Sequence, residues 1–269
     1  MNNNLSERPI GVFDSGLGGL TVLKALRENF PHENFIYLGD TARIPYGTKS
    51  PRTISKYLEQ NVNFLKTKNV KAVVVACNSA SSVVHAITSD IPIYNVIEPG
   101  ARAAARATQN NLIGIIATRA TVAGRNYVTR LEEINPEFKI YQQACPLLVP
   151  LVEEGWDDDP ITNLIIYRYL SPLMAVKIDT LIMGCTHYPI LKEAIRKVVG
   201  PNVELIDSGA SVSEKIESDF QKNILAPNHS GLTGDISFMI TDTSESFQAQ
   251  AQRIMAPMPV KKLELVDVF

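Results

Sequence analysis

Three cysteines, Cys77, Cys145 and Cys185, are the residues of this 269-residue chain whose chemistry most asks for an explanation. Two of them stand in like settings. Val73-Val74-Val75-Ala76-Cys77-Asn78-Ser79 and Leu181-Ile182-Met183-Gly184-Cys185-Thr186-His187 are each an apolar run closed by a small residue, a cysteine and hydrogen-bonding side chains. A short apolar run bounded in this way reads as a buried strand of a parallel sheet. Open α/β sheets bind ligands beyond the carboxyl ends of such strands. A free cysteine is commonly no more than a small buried hydrophobe, but two in matched settings point to a shared task. One thiolate removes a proton from a carbon and an opposite thiol returns one to the other face. A reference thiol pKa of about 8.5 suits both roles near neutral pH. A lone nucleophilic cysteine would want a histidine base and an oxyanion hole instead.

Each thiol needs a neighbour to manage its proton. His187 lies two residues after Cys185, and Asp14 closes the first strand, where it would serve Cys77. Packing alone also accounts for a histidine at a strand end, and capping for an aspartate ahead of a glycine turn. Ser15, Asn78, Ser79, Thr118 and Thr186 are neutral donors at strand ends. With the backbone N–H groups of the helices that follow, they can bind carboxylates.

The elements that must position these groups alternate along the chain. Strands are expected at Ile10–Phe13, Phe35–Leu38, the two cysteine runs, Ile93–Val96, Leu112–Ile116, Phe138–Tyr141, Val203–Ile206, Ile236–Ile240 and Leu263–Val268. Between them lie helical patterns: one with Leu20, Leu23, Leu26 and Phe30 on a face, one opened by Ser50-Pro51, one over Ala101–Thr108, one opened by Pro160 and one by Pro189. Cys145 to Gly155 reads as a loop or broken helix. Alternation of this kind predicts an α/β fold, with mostly parallel sheets flanked by helices on both faces.

The pattern also repeats. Ile10–Ser15 resembles Ile113–Thr118, the cysteine strands resemble each other, and Ile97–Ala101 resembles Ile206–Ala210, in the same order and at a common separation of roughly 105 residues. Two similar domains with pseudo-two-fold symmetry are expected: residues 1–97 with 208–269, and residues 98–207. Their cleft would hold the site, with Cys77 and Cys185 on opposite walls.

Lys+Arg 26 against Asp+Glu 28 gives no bulk charge for nucleic acid or an acidic membrane. The start lacks an apolar signal-peptide core, and no run approaches the ~20 apolar residues of a membrane span. Sparse, odd-numbered cysteines fit a reducing compartment, so the expectation is a cytoplasmic protein without nucleic-acid or membrane partners.

Five motifs then carry a resemblance: Gly11-Val12-Phe13-Asp14-Ser15-Gly16-Leu17-Gly18-Gly19-Leu20, Asp40 with Arg43-Ile44-Pro45-Tyr46-Gly47, Ala76-Cys77-Asn78-Ser79-Ala80, Ala144-Cys145-Pro146 with Glu153-Glu154-Gly155, and Gly184-Cys185-Thr186-His187-Tyr188-Pro189. Together the chain resembles the glutamate racemases of the cofactor-independent aspartate/glutamate racemase family. The resemblance implies interconversion of L- and D-glutamate without cofactor or metal, D-glutamate being supplied to peptidoglycan synthesis. It implies Cys77 and Cys185 as the acid/base pair, with Asp14 and His187 assisting. Asp14, Ser15, Tyr46, Gly47, Asn78, Ser79, Thr118, Glu153, Thr186 and His187 are the substrate contacts it implies, and a homodimer the assembly. Ser79 and Ala117 depart from the threonine and glycine usual in the family.

Rival readings exist. Gly16-Leu17-Gly18-Gly19 after a strand, with Asp40 closing the next, mimics a dinucleotide fingerprint, but Thr21 holds the third glycine position. A thiol hydrolase would form a covalent acyl-enzyme. A zinc site from Cys77, Cys145, Cys185 and His187 has no close-set cysteine pair behind it. A non-catalytic two-lobed binding protein would bind glutamate without exchanging its α-proton.

Overall fold

A computed structural model describes residues 5–243 and 245–269. Residues 1–4, the start of the stretch read above for a signal peptide, and residue 244 lie outside the described part.

The apolar runs become the strands β1 (Ile10–Asp14), β2 (Phe35–Gly39), β3 (Ala72–Val75), β4 (Ile93–Asn95), β5 (Leu112–Ala117), β6 (Lys139–Ala144), β7 (Thr180–Gly184), β8 (Glu204–Ile206), β9 (Ile236–Ile240) and β10 (Leu263–Leu265). They form two sheets, ordered β10-β9-β2-β1-β3-β4 and β6-β5-β7-β8, and every pairing is parallel. The order β2-β1-β3-β4 recurs as β6-β5-β7-β8, so the internal repeat has a topological counterpart. The two cysteines follow β3 and β7, the equivalent strands of the two sheets.

The intervening helices are α1 (Leu20–Asn29), α2 (Pro51–Thr67), α3 (Asn78–Ser81), α4 (Ile97–Ala107), α5 (Arg119–Gly124), α6 (Asn126–Ile134), α7 (Leu148–Glu153), α8 (Pro160–Ala175), α9 (Lys192–Val199), α10 (Ser208–Gln221) and α11 (Glu245–Met255). Both faces of each sheet are covered. Along β3, Ala72 and Val74 face the core under α1, α10 and α11, while Val73 and Val75 face that under α2, the two-residue alternation of a strand buried on both sides. On the second sheet, Leu181 and Met183 pack with α7, α8 and α9, and Ile182 with α4 and α6. Each such valine, leucine, isoleucine or methionine contributes ~2 kcal/mol of burial.

Some boundaries moved. Helix α4 starts at Ile97, not Ala101, because Asn95 Oδ1 accepts from the backbone N–H groups of Ile97 and Glu98 at 3.0 and 3.1 Å. Pro99 falls in its first turn, where no donor is missed. Pro189 opens a 3₁₀ turn, Tyr188–Leu191, and α9 follows it. Strand β10 ends at Leu265, short of the expected Val268, although Val268 still packs into the core. Ser50 caps α2 as expected, accepting from Thr53 N–H. Among the described residues no helix is long and apolar enough to cross a membrane.

Candidate active site

The ends of β1, β3, β5 and β7 open on one cavity of about 190 Å³. It is lined from the first sheet's side by Ser15, Ile44–Thr48 and Cys77–Ser79, and from the second by Thr118, Arg119, Pro146, Val149, Pro150, Glu153 and Cys185–His187. Of the expected catalytic and substrate-contact residues all border it except Asp14, which is fully buried and hydrogen-bonded to the lining residue Thr186. A space of this size suits a small metabolite.

Cys77 ends β3 and precedes α3, so its sulfur meets the cavity where a chain leaves a sheet. Its Sγ donates to Ser15 Oγ at 3.6 Å. The sequence paired Cys77 with Asp14, but that carboxylate makes its hydrogen bonds elsewhere: Oδ2 accepts from Gly16 N–H at 2.9 Å and Oδ1 from Thr186 Oγ1 at 3.2 Å. Asp14 reaches Cys77 by charge. Burial first and the Asp14 charge second push the Cys77 thiol up to about 12. Burial also holds Asp14 above the usual carboxylate range, with His187 pulling against it. Cys77 is therefore a thiol at neutral pH.

The opposite wall is built differently. Cys185 Sγ lies 3.8 Å from His187 Nδ1, and His187 Nε2 lies 3.1 Å from Glu153 Oε1. Burial alone would lower the histidine, but its hydrogen bonds to Cys185 and Glu153 raise it to about 10. His187 is thus an imidazolium at neutral pH, with Nδ1 toward the sulfur and Nε2 toward the carboxylate. The two thiols accordingly have unlike environments, one beside a hydroxyl and a carboxylate, the other beside an imidazolium.

Polar groups between them are held from behind. Asn78 Nδ2 donates to Tyr127 OH at 2.9 Å and Ser208 Oγ at 3.2 Å. Its Oδ1 is buried without a partner among the described residues, an acceptor left for a ligand's ammonium or amide. Ser79 Oγ is 2.9 Å from Thr118 Oγ1, and Thr118 is 3.1 Å from Thr121 Oγ1. Tyr46 lines the cavity, but its hydroxyl donates to Asp40 Oδ2, which also takes Arg43 Nε at 2.7 Å and Asn61 Nδ2 at 3.2 Å. Tyr46 can offer a ligand its ring and backbone, not its hydroxyl. Tyr127, Ser208, Asn61 and Thr121 carried no signal as orienting groups in the sequence, because each sits on a helix among ordinary apolar or capping positions.

The glycines after β1 have a different use from the one their spacing mimics. A Cβ on Gly18 would lie 2.4 Å from His187 Nδ1 and Thr186 Oγ1, and one on Gly19 would lie 2.2 Å from Asp14 Cβ. They let this turn close against the site rather than cradle a pyrophosphate. Cys145 does not line the cavity: it is buried, with Sγ 3.5 Å from Gln143 O, and burial raises its thiol above the usual range. Among the described residues no three His, Cys, Asp or Glu side chains converge as metal ligands.

Comparison with known proteins shows the family. The family model Asp/Glu/Hydantoin racemase matches residues 15–215. The chain is 43% identical to the glutamate racemase of Syntrophus aciditrophicus over 95% of this chain and 96% of that one. It is 43% identical to that of Neisseria meningitidis serogroup A over 100% of both. Among solved structures, Bacillus anthracis glutamate racemase RacE1 superposes with a TM-score of 0.92 at 35% identity, covering 97% of this chain and 98% of that one. Francisella tularensis glutamate racemase in complex with D-glutamate gives 0.89 at 38% identity, covering 98% of each. The chain therefore belongs to the Asp/Glu/Hydantoin racemase family and is an amino-acid racemase, an isomerase. Within that family its full-length similarity is to the glutamate racemases.

Proposed function

We propose that this chain racemises glutamate by two-base chemistry, with Cys77 and Cys185 as the acid/base pair. One observation carries the reading: the two sulfurs, on equivalent strands of the two sheets, border the same small cavity. In one direction a thiolate at Cys185 takes the α-proton, the electron pair moves into the α-carboxylate, and the Cys77 thiol protonates the opposite face. Cys185 ends as thiol and Cys77 as thiolate; this form runs the reverse reaction directly, and for a further turnover in the same direction Cys185 gives a proton to solvent and Cys77 takes one from it after product leaves. His187 stands beside the Cys185 sulfur as its proton-handling partner, while Ser15 is hydrogen-bonded to Cys77 and the Asp14 charge favours the Cys77 thiol that delivers the proton. Asn78 Oδ1 suits the ammonium, and the hydroxyls of Ser79, Thr118 and Thr186 with the Gly47 backbone suit the carboxylates. No cofactor is needed, since the chain itself supplies both proton-transfer groups.

The roles of residues 1–97 with 208–269 and of 98–207 as two domains that part to admit substrate belong to the same proposal, as does supply of D-glutamate to cytoplasmic peptidoglycan synthesis. A homodimer is proposed too. Helix α8 carries Ile161, Leu164 and Tyr167 exposed at three-residue spacing, with exposed Trp156 tied to its first turn by Thr162, an apolar face that a second copy would cover.

The test is exchange of the α-hydrogen. Each enantiomer of glutamate in deuterated water should take up solvent deuterium at Cα in step with inversion, in metal-free protein without pyridoxal absorbance. Cys77→Ser and Cys185→Ser should each nearly abolish turnover. Binding without exchange, or full activity in either variant, would refute the reading.

A further inference from the structure

Glu153 stands on the second sheet's side of the cavity, yet its backbone is held from the first. Gln250, on α11, donates through Nε2 to the Glu153 carbonyl oxygen. One turn on, Arg253 Nη1 donates to Asp157 Oδ1 at 2.5 Å. Helix α11 is a fixture of the first half: Ala251, Ile254 and Met255 are buried in the core with Leu20, Val22 and Leu23 of α1. Gln250 Oε1 is buried without a partner among the described residues, so no acceptor bond of its own orients the amide. The Arg253–Asp157 pair is partly exposed and adds little by itself.

We propose that Gln250 is a positioning residue for the Cys185 half of the reaction: by fixing the backbone of Glu153 it keeps that carboxylate on His187 Nε2, and so keeps Nδ1 turned to the Cys185 sulfur. The inference rests on the two-cysteine reading and extends it. The chain of contacts runs Gln250, Glu153, His187, Cys185, and it crosses from one half of the molecule to the other. Cys77 has no counterpart to this chain: the partners of its sulfur are the Ser15 hydroxyl and the Ala80 backbone N–H, with no imidazole or carboxylate hydrogen-bonded to it among the described residues. The groups facing His187 are Cys185 at the end of β7, Glu153 on α7 and, by charge, Asp14 at the end of β1. Of these only Glu153 is under the control of Gln250.

The experiment is Gln250→Leu in the full chain, assayed from both enantiomers. Enantiomers are equal in energy in water, so kcat/KM falls equally in both directions whichever acid/base is impaired. The expected fall is about 10-fold, the order seen when an orienting partner is lost. Asymmetry is read in the hydrogen isotopes. The primary α-deuterium effect should grow for the enantiomer whose proton goes to Cys185. The other enantiomer should exchange solvent hydrogen without inverting. The alkaline limb of the pH profile should move to lower pH, because His187 loses an anionic partner. Gln250→Glu, which keeps the shape and sets an acceptor against the Glu153 carbonyl, should give the same signature if the leucine variant does not fold. Wild-type kcat/KM would overturn the proposal, as would a loss with symmetric isotope effects and an unmoved limb. Full activity in Cys185→Ser would instead sink the reading beneath it.

Discussion

Thr186, on the loop after the second sheet's β7, donates through Oγ1 to Asp14 Oδ1, at the end of the first sheet's β1, across 3.2 Å. This bond ties the loop that follows Cys185 to Asp14, a carboxylate that acts by charge on both Cys77 and His187. The carboxylate is fully buried and also takes Gly16 N–H at 2.9 Å. Thr186→Val should take one hydrogen bond from this buried carboxylate and leave it the backbone N–H groups of Gly16 and Gly19. The Thr186 hydroxyl holds the Asp14 pKa down against burial, so its loss raises that pKa and moves the acid limb of the kcat/KM profile to higher pH. An unchanged acid limb would show that Asp14 does not set it.

Glu153→Gln should act on the other limb. The carboxylate raises His187, so its removal lowers the histidine pKa from about 10. The imidazolium is then lost at lower pH, and activity should begin to fall earlier on the alkaline side. The profile of the variant against that of the parent decides this, with kcat reduced by about 10-fold at neutral pH.

Gly18→Ala is expected to be among the most damaging small changes in the chain. The added methyl would lie 2.4 Å from both His187 Nδ1 and Thr186 Oγ1, so the turn or the histidine must move. Misplacement on that scale costs on the order of 100-fold in rate. Steady-state kinetics, with circular dichroism as the check on folding, tests it.

Gly47→Ala should instead change binding. Its methyl would meet Thr118 Cβ at 2.7 Å and close the gap between the Ile44–Thr48 loop and the second sheet. KM for glutamate should rise more than kcat falls. A shorter dicarboxylate such as aspartate should be affected less, and competition assays would read the difference.

Away from the site, Lys71 and Glu33 form a buried ion pair at 2.6 Å, and Lys71 also donates to the Ser6 and Ala226 carbonyls at 2.7 Å each. Lys71→Met leaves Glu33 buried and unpaired and should cost about 3 kcal/mol of stability. Lys71→Met with Glu33→Leu should recover much of that. Urea unfolding of the three proteins measures it, and a single variant as stable as the parent would contradict the assignment.

The strands were legible because each is an apolar run of strand length between turn residues, and the internal repeat named the equivalent pair that carries the cysteines. The stretch from Cys145 to Gly155 was not, because Pro146, Pro150 and Gly155 break any regular pattern. It holds the six-residue helix α7, and that helix aims Glu153 at His187. Nothing local marks Tyr127 or Gln250, since their partners lie 49 and 97 residues away along the chain. The glycine turn was open to a nucleotide reading because the φ freedom and the close approach that glycine allows look the same in one dimension.

Short-range order, then, was written in the chain: which segments are strands, which residues end them, and that two ends match. The sequence alone also carried the family motifs. Folding decided the rest, because contacts between distant segments depend on how the two sheets meet. That meeting tied Cys77 to Ser15 rather than to Asp14, turned the Tyr46 hydroxyl away toward Asp40, and set an imidazolium beside one sulfur only. A pair of similar strands fixes where two thiols leave their sheets. Only the packing around each determines which groups its sulfur meets.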